Sequence, residues 1–209
     1  MSDGLFLKGL AFGFILAATV GPMWVLCLRR TLAAGPLTGF ASGMGIAAAD
    51  GLYGALAAFG LTAISGFLLR HAYWISLAGG AFLLYLGLKT LLARPAAAYE
   101  TRRGPTEKAG SLLSAFASTL VLTLANPPTI VAFAAVFAGL GLAQAADHAA
   151  AVWIVAGVFL GSALWWVILA ALAGRLRHRL SSRLLRTVNV VSGATILGFA
   201  LWQLAQVLR

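Results

Sequence analysis

The sequence predicts an all-α integral membrane protein: six transmembrane helices forming two inverted three-helix repeats, with the first and fourth helices broken. Three observations predict it. The composition is 61% hydrophobic and 10% charged over 209 residues, with a mean hydropathy of +0.95, whereas a soluble domain carries about 25% charged residues. One polar, proline-containing segment of any length, residues 93–111, separates two apolar halves. Each half opens with an apolar run that proline interrupts: Thr19-Val20-Gly21-Pro22 in the first, and Leu124-Ala125-Asn126-Pro127-Pro128-Thr129 in the second. At about 20 apolar residues per spanning helix, the length suits about six spans. Residues 1–209 are therefore expected to form one membrane domain, with a first repeat over 1–92, a cytoplasmic linker over 93–111 and a second repeat over 112–209.

The first span, near 5–28, carries Lys8 and ends at Arg29-Arg30. It is too long for the apolar core of a leader and has no clear small-residue cleavage site, so it is expected to be retained. Gly35-Pro36 breaks the chain before the second span, near 38–69. That run holds Asp50 and a stripe of small residues, Gly39, Gly43, Ala47, Gly51 and Ala55, which lets a neighbouring helix approach closely. The third span, near 72–92, contains Gly79-Gly80, and the fourth, near 112–142, contains the Asn126-Pro127-Pro128 break. A short Asp147-His148 connection leads to the fifth, near 150–173. There Gly157 and Gly161 repeat the close-packing spacing, and Trp165 and Trp166 either line a pocket or join an interfacial belt. Arg175, Arg177, Arg179, Arg183 and Arg186 precede the last span, near 188–208.

The net charge of +10 sits beside the apolar runs, where it reads as a topology signal rather than a nucleic-acid surface. With six spans, the first, third and fifth loops share a side and carry Arg29, Arg30, Lys89, Arg94, Arg102, Arg103, Lys108 and the five arginines above. The other side has Lys8, Arg70 and Arg209. The positive-inside rule then puts both termini outside the cytoplasm. A single cysteine, Cys27, excludes an intrachain disulfide framework or a paired-thiol redox site.

The two breaks have chemical consequences. Pro22, Pro127 and Pro128 lack an N–H, so the carbonyls of Ala18, Thr123 and Leu124 lose their intrahelical partners. Asn126 is a preferred N-cap and Pro127 suits the first helical position after it. Three spans per half is an odd number, so halves that share a fold insert in opposite senses. Interrupted helices at corresponding positions of such halves point to a binding site. The half-helix N-termini would attract an anion such as a carboxylate, and the freed carbonyls would accept from an ammonium. The two breaks do not sit at equal depth: Pro22 lies seven residues before Arg29, whereas Pro127 lies near the middle of its run.

Asp50 is the one acid inside a span, a position that costs about 2.5–3.5 kcal/mol even on a lenient insertion scale. It is the candidate to hold a substrate ammonium and exchange it for a proton. Tyr53, within a turn of Asp50, either lines a pocket or belongs to an interfacial belt. His71, His148 and His178 are scattered at span ends without ligand spacing, so neither a metal site, a cofactor nor a nucleophile–base–acid set is expected.

In this order, Gly21-Pro22, a Gly-rich helix leading to Asp50, a polar central linker and Asn126-Pro127 resemble the lysine exporter (LysE/RhtB) family of bacterial amino-acid exporters, over essentially the whole chain. The resemblance implies a multi-pass protein of the bacterial cytoplasmic (inner) membrane that exports amino acids or close derivatives by proton antiport. Gly21, Pro22, Asp50, Asn126 and Pro127 occupy the family's characteristic positions, and Pro128 departs from them. The partners implied are an amino acid, a proton and the bilayer, with no nucleic acid; the small subunit is compatible with a homodimer. Competing readings are an exporter of a metal cation or another small metabolite, an integral-membrane enzyme or thiol-electron carrier, and an interaction scaffold. A soft-metal site would want intramembrane thiolate or imidazole, and an enzyme an acid–base or paired-cysteine set. One acid matches either the amino group of every amino acid or the side chain of lysine.

Overall fold

The computed structural model describes residues 2–58, 70–92, 105–126, 129, 133, 148–177 and 182–207, and every regular element among them is α-helical. The first helix breaks where Gly21-Pro22 predicts. Helix α1 (Ser2–Ala18) stops because Pro22 offers no N–H to the Ala18 carbonyl. Thr19 closes the end, with its hydroxyl donating to Ile15 O at 3.1 Å and its N–H to Leu16 O at 3.2 Å. The chain is extended at Gly21 (φ −153°, ψ −173°), and Pro22 takes the first position of α2 (Pro22–Ala34), which is bent 74° from α1. Gly35, at φ 99°, then turns the chain in a conformation that a side chain would strain. Its N–H donates to Thr31 O at 3.0 Å, and Pro36 starts α3 (Pro36–Ala58).

The remaining helices are α4 (Ala72–Leu91), α5 (Pro105–Leu124), α6 (His148–Arg177) and α7 (Ser182–Val207). Residues 105–111, expected in the linker, already belong to α5. By length and composition three described helices can cross a membrane, Tyr73–Leu91, Ala149–Leu176 and Arg186–Val207, and four can if the bent α1–α2 pair is one span. The two other apolar runs, 38–69 and 112–142, extend into residues outside the description. Large apolar side chains such as Ile15, Trp74, Tyr85, Phe159 and Leu172 face outward, as a bilayer rather than water demands.

One expectation is corrected. Arg29 and Arg30, counted as loop charges, lie inside α2 and are half-buried. The helix continues past them because its break falls earlier, at Pro22. The Arg29 Nε donates to Asn189 Oδ1 at 3.1 Å. Arg30 uses its planar fork, Nη1 to Ser42 Oγ (3.1 Å) and Ala115 O (3.0 Å) and Nη2 to Ser118 Oγ (2.9 Å). These bonds tie α2 to α3, α5 and α7.

The packing crosses between the halves of the chain. Helix α1 lies on α6, α3 lies on both α5 and α6, and α4 lies on α7, with α2 wedged among α3, α6 and α7. Small residues set the tightest contact. Gly9 and Gly13 of α1 meet the backbone of Ile154 and Val158, while Gly157 and Gly161 of α6 meet that of Phe6 and Leu10. The close packing expected of Gly157 and Gly161 is thus met by a matching pair on α1.

Candidate functional site

Both helix breaks and Asp50 border a single cavity of about 400 Å³, near the lower end of the roughly 300–1,000 Å³ typical of ligand pockets. From the first break come Thr19, Val20, Gly21 and Pro22, with Met23 and Trp24 following; from the second come Thr123, Asn126 and Thr129. Ile46 and Asp50, one helical turn apart on α3, supply one wall. Trp166 of α6 and Phe199, Trp202 and Gln203 of α7 supply the other. Pro127 and Pro128 lie outside the described residues.

The small residues of α3 seat this wall. The space a Cβ would take at Gly43 is filled by Trp166, and Gly51 lies against Phe159. Asp50 therefore turns into the bundle, where it is 2% exposed. Ser162 donates to its Oδ2 at 2.7 Å, and among the described residues no donor is placed on Oδ1. A buried carboxylate with one oxygen held and one open is poised for an ammonium or a proton.

At the first break, Val25 is the first residue of α2 to donate back, to Gly21 O at 3.1 Å. Gly21 has no side chain to cap the turn, so the N–H groups of Met23 and Trp24 are left without a capping side chain at the positive end of the helix. The second break is partly closed on itself. Asn126 N–H donates to Thr123 O at 3.1 Å, and Thr129 N–H to Asn126 O at 3.1 Å. The Asn126 amide reaches the Thr129 hydroxyl at 3.0 Å, so its cap bond goes to a side chain of the new turn rather than to a backbone N–H.

Two of the freed carbonyls already accept one hydrogen bond each. Of the three expected to await an ammonium, that of Thr123 takes the Asn126 N–H and that of Leu124 takes the Tyr53 hydroxyl at 2.5 Å. Tyr53, 4% exposed, is not among the residues lining the cavity. Its hydroxyl stands in for the N–H that Pro128 lacks, which makes it a support for the break. Tyr53→Phe should leave the part-buried Leu124 carbonyl without this donor, a cost of up to about 1–3 kcal/mol. A lowered melting temperature in detergent is expected; an unchanged one would mean that another donor serves this carbonyl.

Sequence reasoning did not single out Ser162, Gln203 or Trp24. Ser162 reads as one more small residue on an apolar helix. Gln203, whose Nε2 donates to Ser76 O at 2.8 Å, is 5% exposed; a polar residue within the last apolar run was its available signal. Trp166 lines the cavity, whereas its neighbour Trp165 packs edge-to-face on Phe14. Among the described residues no three His, Cys, Asp or Glu side chains gather as a metal would require.

A family model described as LysE type translocator matches residues 14–206. A Bacillus subtilis (strain 168) protein named "Putative amino acid efflux protein YcgF" is 26% identical over 203 residues, covering 95% of this chain and 94% of the relative. An Escherichia coli (strain K12) protein named "Uncharacterized membrane protein YahN" is 28% identical over 176 residues, covering 83% of this chain and 77% of the relative. No solved structure matches the chain.

Proposed function

Because the chain belongs to the LysE type translocator family, we propose that this membrane transporter exports amino acids or close derivatives from the cytoplasm in exchange for protons. The observation that carries the reading is the cavity where Asp50 meets both helix breaks. An α-amino acid presents an ammonium and a carboxylate on the same carbon atom. Asp50 Oδ1 receives the ammonium, and the N-terminus of α2, starting at Gly21-Pro22, attracts the carboxylate. Asn126, with Pro127 and Pro128 behind it, keeps the opposite wall from closing into a continuous helix, and Tyr53 holds the Leu124 carbonyl away from the substrate. When the substrate leaves, Asp50 takes a proton, so that an uncompensated carboxylate is not left buried. One relative carries amino acid efflux in its name, which supports this substrate class.

The architecture we propose is six spans in two inverted repeats. Its support is the pattern of contacts. Exchanging α1 with α5, α3 with α6 and α4 with α7 turns the α1–α6 contact into α5–α3 and maps α3–α6 and α4–α7 onto themselves. A pseudo-two-fold between the halves has this property. The orientation we propose has both termini on the outer side of the cytoplasmic (inner) membrane. Removing Arg29 and Arg30 from the loop count still leaves Lys89, Arg94, Arg102, Arg103, Lys108 and five arginines on one side against Lys8, Arg70 and Arg209 on the other.

The test is to express the chain in dipeptide-fed bacteria and compare extracellular amino acids with those of cells carrying an empty vector. Accumulation of one or more amino acids is expected. Increased metal tolerance with an unchanged amino-acid profile would replace this reading with metal export.

A further inference from the structure

We propose that α2 is a gate between the cavity and the cytoplasm, and that Arg30, assisted by Arg29, is the latch that holds it shut. The inference rests on the transport reading and its orientation, and concerns residues outside the cavity. On α2 the cavity is lined by Met23 and Trp24, on α3 by Ile46 and Asp50, and at the end of α5 by Thr123. Arg30 comes six residues after Trp24, while its partners Ser42 and Ser118 come four before Ile46 and five before Thr123. Each is thus about one to two turns from the cavity. All three displacements run toward the Gly35 turn and the start of α5, the side that the basic loops assign to the cytoplasm. Leu26 and Cys27 lie between, buried in one apolar cluster with Ile46, Leu122 and Leu169.

The bonds suit a latch that must open. Those from Arg29 and Arg30 end on amide, hydroxyl and carbonyl oxygens rather than on carboxylates. Water can replace a neutral acceptor at modest net cost, whereas parting a buried ion pair strands a charge. Helix α2 is also the piece placed to move. It is bounded by the Gly21 break and by Gly35 at φ 99°, and hinges are element-terminal positions of this kind. It meets α3 through side chains, with Thr31 against Gly39 and Cys27 Sγ donating to Gly39 O at 3.3 Å. The α3–α5 contact is firmer: a Cβ at Gly45 would overlap the Phe116 carbonyl, and the Thr119 hydroxyl donates to Ser42 O at 2.7 Å.

The chain's single cysteine reports on the gate. Cys27 lies about one turn before Arg30 and is 0% exposed while α2 is latched. In inside-out membrane vesicles, a membrane-impermeant sulfonated maleimide should modify wild-type Cys27 slowly. Ser118→Ala and Arg30→Gln should each accelerate it at least about tenfold, since a hydrogen bond to a charged group is worth about that factor. Arg30→Lys keeps the charge but not the planar fork, and should label at a rate between those of the wild type and Arg30→Gln.

In right-side-out vesicles neither Ser118→Ala nor Arg30→Gln should accelerate labelling. Unchanged labelling of both variants from the cytoplasmic face would overturn the latch. Acceleration from both faces would mean a loosened bundle, and acceleration from the outer face alone a gate on the wrong side; either would overturn the proposal. Labelling needs no substrate, so an empty export profile beside acceleration from the cytoplasmic face alone would overturn the amino-acid reading and leave the gate standing.

Discussion

Asp50→Asn should abolish export while the protein still inserts and folds. The side chain keeps its volume and its amide oxygen can still accept from Ser162, which now donates to Oδ2 at 2.7 Å, so the bundle has no cavity to collapse and no lost anchor. What disappears is the negative charge. Removing one member of a buried charge pair costs about 2–5 kcal/mol, of which 3 kcal/mol is already more than a hundredfold. Two assays separate the proposed roles. A group that only carries the proton would, when neutralised, lose efflux driven by a pH gradient yet keep substrate-for-substrate counterflow. A group that holds the ammonium would lose both, which is the expected result. Wild-type efflux from a correctly inserted Asp50→Asn protein would remove Asp50 from the mechanism. Ser162→Ala should weaken transport to a lesser degree, because it orients one carboxylate oxygen without contributing charge.

Gly161→Leu and Gly13→Leu should destroy the α1–α6 contact. Helix α1 carries the first break to the cavity, and its position depends on backbones that touch: a Cβ at Gly161 would overlap the Leu10 carbonyl, and one at Gly13 the Val158 carbonyl. Backbone in contact with backbone cannot shift a rotamer to make room, so the cost lies at or above the upper end of the roughly 1–3 kcal/mol of overpacking. Loss of a monodisperse peak in detergent, or a melting temperature lowered by several degrees, is expected. The contrast is Gly198, in α7, where a Cβ would meet nothing within 4 Å. Gly198→Ala should be neutral or stabilise by up to about 1 kcal/mol, as alanine is the better helix former. Equal behaviour of the Gly161 and Gly198 variants would show that the α1–α6 crossing is not needed.

Much of the site was legible because proline and an intramembrane acid are costly in identifiable ways. A missing N–H breaks a helix wherever the chain later travels, so Gly21-Pro22 announced the end of α1 at Ala18 and the start of α2. Asp50 could be read as inward-facing because a lipid-facing carboxylate has no solvation. The correction at Arg29 and Arg30 has the opposite cause. An arginine pair after an apolar run looks the same whether it ends a span or lies within a bent one, and only the 74° bend carries it into the bundle. The partners of the freed carbonyls were illegible for a similar reason: sequence identifies the donor that is lost, but not the Tyr53 hydroxyl that arrives from another helix 71 residues away.

The sequence by itself determined that the chain is a helical membrane protein, where its first helix breaks, which acid lies within an apolar run and which glycines allow close packing, since these follow from solvation, backbone chemistry and local spacing. Only the tertiary structure decided that the two breaks and Asp50 share one cavity, that Ser162 and not a base holds the carboxylate, and that Trp24, Trp166 and Phe199 wall it. Those are matters of which helix faces meet, and facing is set by long-range packing, here by glycines on α1, α3 and α6 that let the helices close on one another.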